Sequence, residues 1–194
     1  IVGNIIEKGK NNFFSITLPT GLGKTFSAYK AALILKEQYC PNFRIVYCLP
    51  FTSIIDQNAK ILSDILDTSG KLDGILGVHH HLAGPEDNRV NDEINFSHWE
   101  YYTEGWQNAI TVTTFVQLWD SIFTNKNKLL RKYHNLANSV IIMDEVQAIP
   151  PDMLSAFEYV MKEMAKWFNT KFILVTATQP VLLPDEITEL TKVS

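Results

Sequence analysis

Short apolar runs alternate along this chain with longer segments in which apolar residues recur every three or four positions. The short runs predict buried β-strands, because strands covered on both faces read as continuous apolar stretches. They cover residues 13–18, 44–49, 109–112, 140–143 and 172–175, with a shorter candidate at 72–78. The alternating order of strands and helices predicts an α/β fold in which a mostly parallel central sheet carries helices on both faces.

The periodic segments predict the helices of this fold. The pair Pro150-Pro151 suits a helix start, because the first turn of a helix leaves its N–H groups unpaired. Helices are predicted over residues 25–38, 53–66, 115–123 and 128–133 and after 150, while 183–193 is either a last helix or a linker. A stripe spaced three and four apart predicts a face packed into the core, and it consists of Leu154, Phe157, Met161, Met164 and Phe168.

The segment that joins the first strand to the first helix reads Leu-Pro-Thr-Gly-Leu-Gly-Lys-Thr. A Gly-containing turn lets backbone N–H groups converge on phosphate oxygens, and the following helix adds the partial positive charge of its N-terminus. Lys24 is expected to reach the β- and γ-phosphates of ATP, and the Thr25 hydroxyl to hold Mg²⁺. The predicted cofactor-binding residues are Thr20, Gly21, Leu22, Gly23, Lys24 and Thr25.

Two acidic residues, Asp144 and Glu145, follow the apolar run 140–143. Ligands of α/β sheets gather at the carboxyl ends of the strands, so both acids should face the phosphate loop. Asp144 is the candidate Mg²⁺ ligand, and Glu145 is the candidate general base that polarises the attacking water. These separate roles require the strand to end here, because neighbouring side chains on a strand point to opposite faces. The alternative is that the two acids only terminate a strand and cap a helix.

Polar residues follow three other predicted strands. Thr176 and Thr178 come after the run 172–175, and their hydroxyls can hydrogen-bond the acidic segment and a phosphate-linked water. Pro50 and Phe51 come after the strand 44–49. At the end of strand 109–112, Thr113 and Thr114 offer hydroxyls and helix N-terminal amides to phosphates, although ordinary N-caps would look the same.

A polar segment over residues 84–106 interrupts the alternation of strands and helices. A loop of this length inside a compact domain is usually functional or disordered. Four of its aromatic residues either stack on nucleic-acid bases or pack the loop onto the domain, namely Trp99, Tyr101, Tyr102 and Trp106.

Composition narrows the class of protein without deciding it. The 194 residues are enough for one domain with a sizeable core, so residues 1–194 are assigned to a single domain. A net charge of −4 argues against a generic electrostatic nucleic-acid binder, which would be basic, but leaves room for contacts through amides and hydroxyls. No run approaches the roughly 20 apolar residues of a membrane span. Cys40 and Cys48 fit the reduced thiols of a cytoplasmic protein.

These segments, in this order, resemble the first RecA-like domain of a superfamily 2 helicase. In that family the counterparts of Pro50-Phe51 and Thr113-Thr114 meet the nucleic-acid backbone. The counterpart of Thr176-Ala177-Thr178 couples the nucleotide state to domain movement. Gln147 stands where many members have His or Asp, so the acidic motif is DExH-like rather than strict; its amide can still hydrogen-bond the coupling segment and assist catalysis.

The amino-acid sequences of three segments resemble those of the CRISPR-associated helicase of type I interference systems. The segments concerned read Tyr-Cys-Leu-Pro-Phe-Thr-Ser-Ile-Ile-Asp-Gln-Asn, Val-His-His-His and Met-Asp-Glu-Val-Gln-Ala-Ile-Pro-Pro. That family pairs an HD-type nuclease with two RecA-like domains, is recruited by a guide-RNA surveillance complex, and uses ATP to reel and degrade single-stranded DNA. The resemblance implies ATP and Mg²⁺ as cofactors, and single-stranded DNA and the surveillance complex as partners.

The resemblance also places two parts of the family outside these residues. The HD nuclease would lie upstream, and the second RecA-like domain, which supplies an arginine finger, would lie downstream. Loss of such an arginine costs on the order of 10³–10⁵ in rate, so the chain alone is expected to bind ATP weakly and hydrolyse it poorly. Two other interpretations stay open, namely an RNA helicase and a P-loop interaction module that binds nucleotide without turnover.

Overall fold

The computed structural model of this protein describes residues 11–19, 21–39, 41–52, 55, 58, 76–78, 105–123, 127–177, 182 and 186–191. Within them, seven strands form one sheet in the order β3-β4-β2-β5-β6-β1-β7, and every strand pair is parallel. The strands are β1 (Phe13–Thr17), β2 (Arg44–Leu49), β3 (Leu76–Val78), β4 (Ile110–Thr114), β5 (Ser139–Asp144), β6 (Lys171–Thr176) and β7 (Thr188–Glu189). The predicted α/β fold with a parallel sheet is confirmed.

Four α-helices lie within the described ranges. They are α1 (Lys24–Tyr39), α2 (Phe115–Phe123), α3 (Asn127–Leu136) and α4 (Leu154–Trp167). Ile55 and Asn58 are also helical, inside the helix predicted over 53–66. The helix expected after Pro150 begins as a 3₁₀ turn, Pro151–Met153, and becomes α-helical at Leu154.

The sheet is covered by apolar cores on both faces, which explains why its strands read as continuous apolar runs. Along β2, Ile45 and Tyr47 belong to the core that includes the buried face of α1, whereas Val46 and Cys48 belong to the opposite core. The predicted stripe of α4 lies in that second core: Phe157, Met161 and Met164 are buried, and Leu154 and Phe168 are partly buried.

Trp106 and Cys48, which were singled out in the sequence, are both buried. Trp106 is buried in the second core, so this aromatic residue of the polar segment packs onto the domain. The other three aromatic residues singled out in the sequence, Trp99, Tyr101 and Tyr102, lie outside the described residues. Cys48 is also fully buried, and burial raises the pKa of its thiol, as expected for an unreactive core cysteine.

The end of the described chain differs from both interpretations of residues 183–193. Instead of a helix or a linker, Thr188–Glu189 form the edge strand β7, which pairs in parallel with β1. The Leu190 N–H donates to the carbonyl of Ser15 at 2.8 Å, and the Leu190 side chain is fully buried in the first core. The edge of β1 would be open without this segment. It pairs with the backbone of β7, which in a helix would have formed hydrogen bonds within the segment itself.

Because every strand pair is parallel, the carboxyl ends of the strands lie along one edge of the sheet. This edge carries Thr17, Leu49, Thr114, Asp144 and Thr176, the last residues of five strands. The predicted functional segments contain these residues or directly follow them. None of the helices in the described part of the chain is long and apolar enough to cross a membrane.

Candidate nucleotide-binding site

The phosphate loop joins β1 to α1 through two glycines in the left-handed region. Gly21 has φ +85° and Gly23 has φ +75°, and neither has a neighbouring atom within 4 Å of the place where a Cβ would lie. Backbone conformation, rather than crowding, is therefore the reason for glycine at both positions. Helix α1 begins immediately afterwards at Lys24, so its N-terminal amides face the loop, as a phosphate site requires. Leu22 is exposed at the tip of this loop, and Thr20 lies outside the described residues.

Lys24 and Glu145 form an ion pair across the site. The Lys24 Nζ lies 2.6 Å from the Glu145 Oε1, with the lysine side chain 8% exposed and the glutamate 32% exposed. Burial raises the pKa of Glu145, but hydrogen bonds from Lys24 and Gln147 outweigh it and hold the pKa below its usual value. Glu145 is therefore ionised at neutral pH. The structure brings together the two residues to which the sequence assigned separate catalytic roles.

The chain turns sharply between Asp144 and Glu145. Strand β5 ends at Asp144, and Glu145 takes a left-handed conformation with φ 55° and ψ 46° before the 3₁₀ turn Val146–Ala148. The turn gives the two carboxylates different surroundings, which is the condition under which they can play different roles. Asp144 is buried, whereas Glu145 points towards Lys24.

Asp144 is held by a buried tyrosine that the sequence interpretation missed. The Tyr47 hydroxyl donates to the Asp144 Oδ2 at 2.5 Å, and the Glu145 N–H donates to the Oδ1 at 2.9 Å. Burial raises the pKa of Asp144, and the hydrogen bond from Tyr47 offsets part of that effect. Burial and the Asp144 charge raise the pKa of Tyr47 well above its usual value, while a hydrogen bond with Thr25 acts in the opposite direction.

Thr25 and Asp144 therefore adjoin the same tyrosine hydroxyl. The Thr25 hydroxyl also donates to the Asn58 Oδ1 at 3.5 Å, a second contact that the sequence interpretation missed. A tyrosine inside the aliphatic run 44–49 was the signal available for Tyr47. Asn58 carried no comparable signal.

A chain of hydrogen bonds connects the acidic segment to the end of β6. The Thr176 hydroxyl donates to the Gln147 Oε1 at 2.8 Å, and the Gln147 amide donates to the Glu145 Oε2. Lys24 occupies the other oxygen of the same carboxylate. We call the connected residues Lys24, Glu145, Gln147 and Thr176 the relay. Gln147 thus makes the hydrogen bonds expected of it, and Thr178 lies outside the described residues.

The four predicted nucleic-acid residues are placed differently from one another. Phe51 is 59% exposed just beyond β2, and Pro50 is half-buried beside it. Thr113 is fully buried within β4, so its hydroxyl offers no surface to a phosphate. The Thr114 hydroxyl accepts the Gln117 N–H at 3.1 Å and caps α2. The strand β4 extends to Thr114 rather than ending at residue 112, which explains why both threonines are buried.

The residues present fit a nucleoside triphosphate with Mg²⁺. The loop supplies amides at the start of a helix and a buried cation, which together suit phosphate. Magnesium is usually held by one or two protein oxygens together with water and substrate phosphates, and Thr25 and Asp144 provide such oxygens. Within the described ranges no three His, Cys, Asp or Glu side chains cluster into a metal centre.

Comparison with known proteins gives the family. The DEAD/DEAH box helicase family matches this chain over residues 2–186. The chain belongs to this family. The acidic motif of this helicase domain reads Asp-Glu-Val-Gln over residues 144–147, so Gln147 stands where many members of the family have His or Asp.

One curated relative of this helicase domain is the CRISPR-associated nuclease/helicase Cas3 of Haloferax volcanii. The two are 34% identical over 183 residues, which is 88% of this chain and 20% of that protein. The chain thus spans about a fifth of the length of the relative it matches. The predicted resemblance to the CRISPR-associated helicase family is confirmed by this match.

Two solved structures share the fold of this helicase domain. Cas3 of T. fusca with AMPPNP has a TM-score of 0.71 at 22% identity, over 91% of this chain and 21% of that chain. The DUF1998 helicase MrfA bound to DNA has a TM-score of 0.63 at 18% identity, over 91% of this chain and 22% of that chain. At these identities the likeness concerns the fold alone.

Proposed function

We propose that this chain is the ATP-binding motor domain of a superfamily 2 helicase or translocase that acts on single-stranded DNA in CRISPR type I interference. The observation that carries the proposal is the relay, in which Lys24, Glu145, Gln147 and Thr176 are joined by hydrogen bonds. It links the phosphate loop, the acidic segment and the end of β6, three segments far apart in sequence. A P-loop that only tethered a nucleotide would need no such connection to the end of β6.

In this proposal Lys24 binds the β- and γ-phosphates together with the amides of Gly21, Leu22, Gly23 and Thr25, and Thr20 completes the loop. A lysine ammonium has three donors, so Lys24 can contact a phosphate by sharing or exchanging its contact with Glu145. Thr25 and Asp144 hold Mg²⁺, which when bound neutralises charge on the phosphate oxygens. Tyr47 keeps the Asp144 carboxylate in place while this happens.

Glu145 acts as the general base in this proposal. Its lowered pKa keeps it ionised, and its position beside Lys24 places it next to the phosphate loop. Movement of Lys24 towards a phosphate frees the Glu145 Oε1 to accept a proton from water. Gln147 donates a hydrogen bond to the other oxygen and accepts one from Thr176. A change at the carboxylate is therefore transmitted to Thr176 through Gln147. Thr178 would extend the same coupling.

Contacts with DNA are proposed at the same edge of the sheet. Phe51 is exposed and can stack on a base or pack on a sugar, with Pro50 beside it. At Thr113-Thr114 the N-terminal amides of α2 are better suited to a phosphate than the buried or capping hydroxyls. The name of the Haloferax volcanii relative supports the assignment to CRISPR interference, and the guide-RNA surveillance complex is the proposed partner.

A nucleotide-dependent interaction module without turnover is the second candidate. The observation that favours it is the Lys24–Glu145 ion pair, because a glutamate neutralised by lysine is a weaker base. An RNA helicase differs from the leading proposal only in its substrate. We also propose that this chain alone hydrolyses ATP poorly and reaches full activity with a second RecA-like domain.

The deciding experiment measures ATP hydrolysis by the complete protein with Mg²⁺, with and without single-stranded DNA or RNA, beside the Lys24→Ala variant. DNA-stimulated hydrolysis that is lost in the variant supports the motor. Stronger stimulation by RNA supports the RNA helicase. If ATP is bound but is hydrolysed under none of these conditions, the motor is refuted and the interaction module is supported.

A further inference from the structure

A second carboxylate, that of Glu189 on β7, collects hydrogen bonds beside the start of the phosphate loop. Its Oε2 accepts the hydroxyls of Ser15 at 2.9 Å and Thr17 at 2.7 Å. Its Oε1 accepts the N–H of Thr17 at 3.3 Å, the N–H of Thr191 at 3.0 Å and the hydroxyl of Thr191. None of the lysines and arginines in the described ranges forms an ion pair with it. Among the described residues, this carboxylate is therefore held by neutral donors.

The arrangement favours the ionised carboxylate. Burial raises the pKa of Glu189, but the hydrogen bonds from Thr191, Thr17 and Ser15 outweigh it and hold the pKa below its usual value. A protonated or amide side chain would have to donate to the Ser15 or Thr17 hydroxyl, and that hydroxyl would lose the carboxylate as the acceptor of its own proton. The cluster thus favours a negatively charged group at this position.

Glu189 extends the pairing of β7 and β1 beyond the last backbone hydrogen bond between them. That bond runs from Leu190 to Ser15, two residues before the end of β1. At Thr17 the side chains of Glu189 and Thr191 take over: both accept its N–H, and the Thr191 hydroxyl lies 3.3 Å from its carbonyl. The final residue of β1 is therefore fixed by side chains, immediately before the phosphate loop.

The opposite side of β1 is fixed at the same level by the end of β6. The Leu18 N–H donates to the carbonyl of Thr176 at 3.2 Å. Thr176 is also the last member of the relay. The base of the phosphate loop thus lies between the relay on one side and the Glu189 carboxylate on the other.

We propose that Glu189 is a positioning residue of the nucleotide site, whose carboxylate holds the end of β1 so that the phosphate loop is ordered for ATP binding. This inference rests on the proposed function. Glu189 acts through Thr17 and makes no hydrogen bond to the described residues of the phosphate loop. Its loss should therefore weaken ATP binding while leaving the relay, and with it the chemical step, largely intact.

The test uses Glu189→Gln in the complete protein, with equilibrium binding of a ribose-labelled fluorescent ATP analogue and steady-state ATPase kinetics. Glu189→Gln should raise the Kd and KM for ATP by about tenfold, because hydrogen bonds to a charged group are lost, and change kcat by less than about twofold. Thr17→Val removes one donor of the cluster and should raise the KM by roughly threefold. The milder variant keeps the proposal testable if Glu189→Gln folds poorly.

Two matched controls separate positioning from general support of β7. Glu186→Gln alters an exposed glutamate of the same segment, paired with Lys162 at 2.8 Å, and should leave KM unchanged. Thr188→Val removes the acceptor of the Asn11 side chain from β7 without touching Thr17, and should lower thermal stability with no rise in KM.

The outcomes distinguish this inference from the proposed function. Wild-type KM and Kd in both Glu189→Gln and Thr17→Val overturn the inference alone. An equal rise of KM in Thr188→Val also overturns it, because support of β7 would then be sufficient. Wild-type protein that binds no ATP overturns the proposed function and this inference together.

Discussion

The hydroxyl of Tyr47 lies 2.5 Å from the Oδ2 of Asp144 and joins β2 to the neighbouring strand β5. The tyrosine ring stacks on Tyr29 of α1, with ring centroids 4.8 Å apart. A residue from the apolar interior thus fixes the carboxylate that we assign to Mg²⁺. The buried core and the nucleotide site share this side chain.

Removal of this hydroxyl should affect both stability and metal use. Tyr47→Phe leaves a buried carboxylate without one of its donors, so the free energy of unfolding should fall by about 1–3 kcal/mol. The Mg²⁺ concentration needed for half-maximal ATP hydrolysis should rise by roughly threefold to tenfold, because Asp144 loses its orientation. Chemical denaturation and a Mg²⁺ titration of the ATPase measure the two effects.

Tyr29 provides the matched control for Tyr47. Its hydroxyl is buried and has no hydrogen-bond partner among the described residues, although its ring stacks on the same tyrosine. Tyr29→Phe should leave stability unchanged or raise it by about 1 kcal/mol, since an unpaired buried polar group is removed. Equal losses of stability in the two variants would show that the hydrogen bond to Asp144 is not what makes the Tyr47 hydroxyl stabilising.

Glu145→Gln should separate ATP binding from hydrolysis. The amide cannot accept a proton from water, so kcat should fall by about 10²–10⁴-fold. Loss of the ion pair leaves Lys24 free for phosphate, so ATP should bind at least as tightly as in the wild type. Lys24→Ala, in contrast, should lose both properties. Hydrolysis at the wild-type rate in Glu145→Gln would remove Glu145 from the mechanism.

The buried Asp144 predicts a dependence of stability on pH. Burial raises its pKa above the ordinary value of 3.8, so the folded protein disfavours the ionised form. The free energy of unfolding should therefore fall as pH rises from this value through the folded-state pKa. Asp144→Asn should be more stable than the wild type at about pH 7, and the difference should vanish near pH 3.

Thermal denaturation across this pH range provides the measurement for Asp144→Asn. Asp152→Asn is the control, because Asp152 is exposed in the turn before α4. It removes one exposed carboxylate and should show no gain in stability at about pH 7. A gain in stability that persists unchanged at about pH 3 would mean that the charge of Asp144 is not its cause.

The Thr176 hydroxyl should matter for coupling more than for basal hydrolysis. It donates to Gln147 at the far end of the relay from Lys24. Thr176→Val should reduce the stimulation of hydrolysis by single-stranded DNA by roughly 2–10-fold, the range expected for one hydrogen bond. Thr176→Ser retains the hydroxyl and should restore the stimulation. If Thr176→Ser were as defective as Thr176→Val, the lost property would be packing within β6.

Sequence and structure agree most closely where function depends on neighbours in the chain. The phosphate loop follows from its local spacing, and the separate surroundings of Asp144 and Glu145 follow from the end of a strand. The sequence interpretation missed Tyr47, Asn58 and Glu189, which act across strands or between elements. Their roles depend on which strands become neighbours, and apolar periodicity carries no information on strand order.

The strand β7 is a second feature that depends on which strands become neighbours. The segment 183–193 carries four apolar residues spaced three and four apart among polar ones, a pattern that suits a last helix or a linker. Its conformation is set by the open edge of β1, some 170 residues away in sequence. Thr113 and Thr114 also needed the structure, because the length of β4 decides whether a hydroxyl is buried.

The strand order has a consequence for how this protein is made. In the described sheet β1 pairs with β6 and β7, so that Phe13 lies beside Phe172 and Ser15 beside Glu189. A ribosome completes β1 long before either partner strand has emerged. Until then the apolar side chains of β1 have no sheet in which to be buried. Pairings this distant in sequence form slowly. The nucleotide loop is thus synthesised well before the strands that flank β1 and acquires its shape only after they have emerged, which makes the nascent chain a natural client for chaperones.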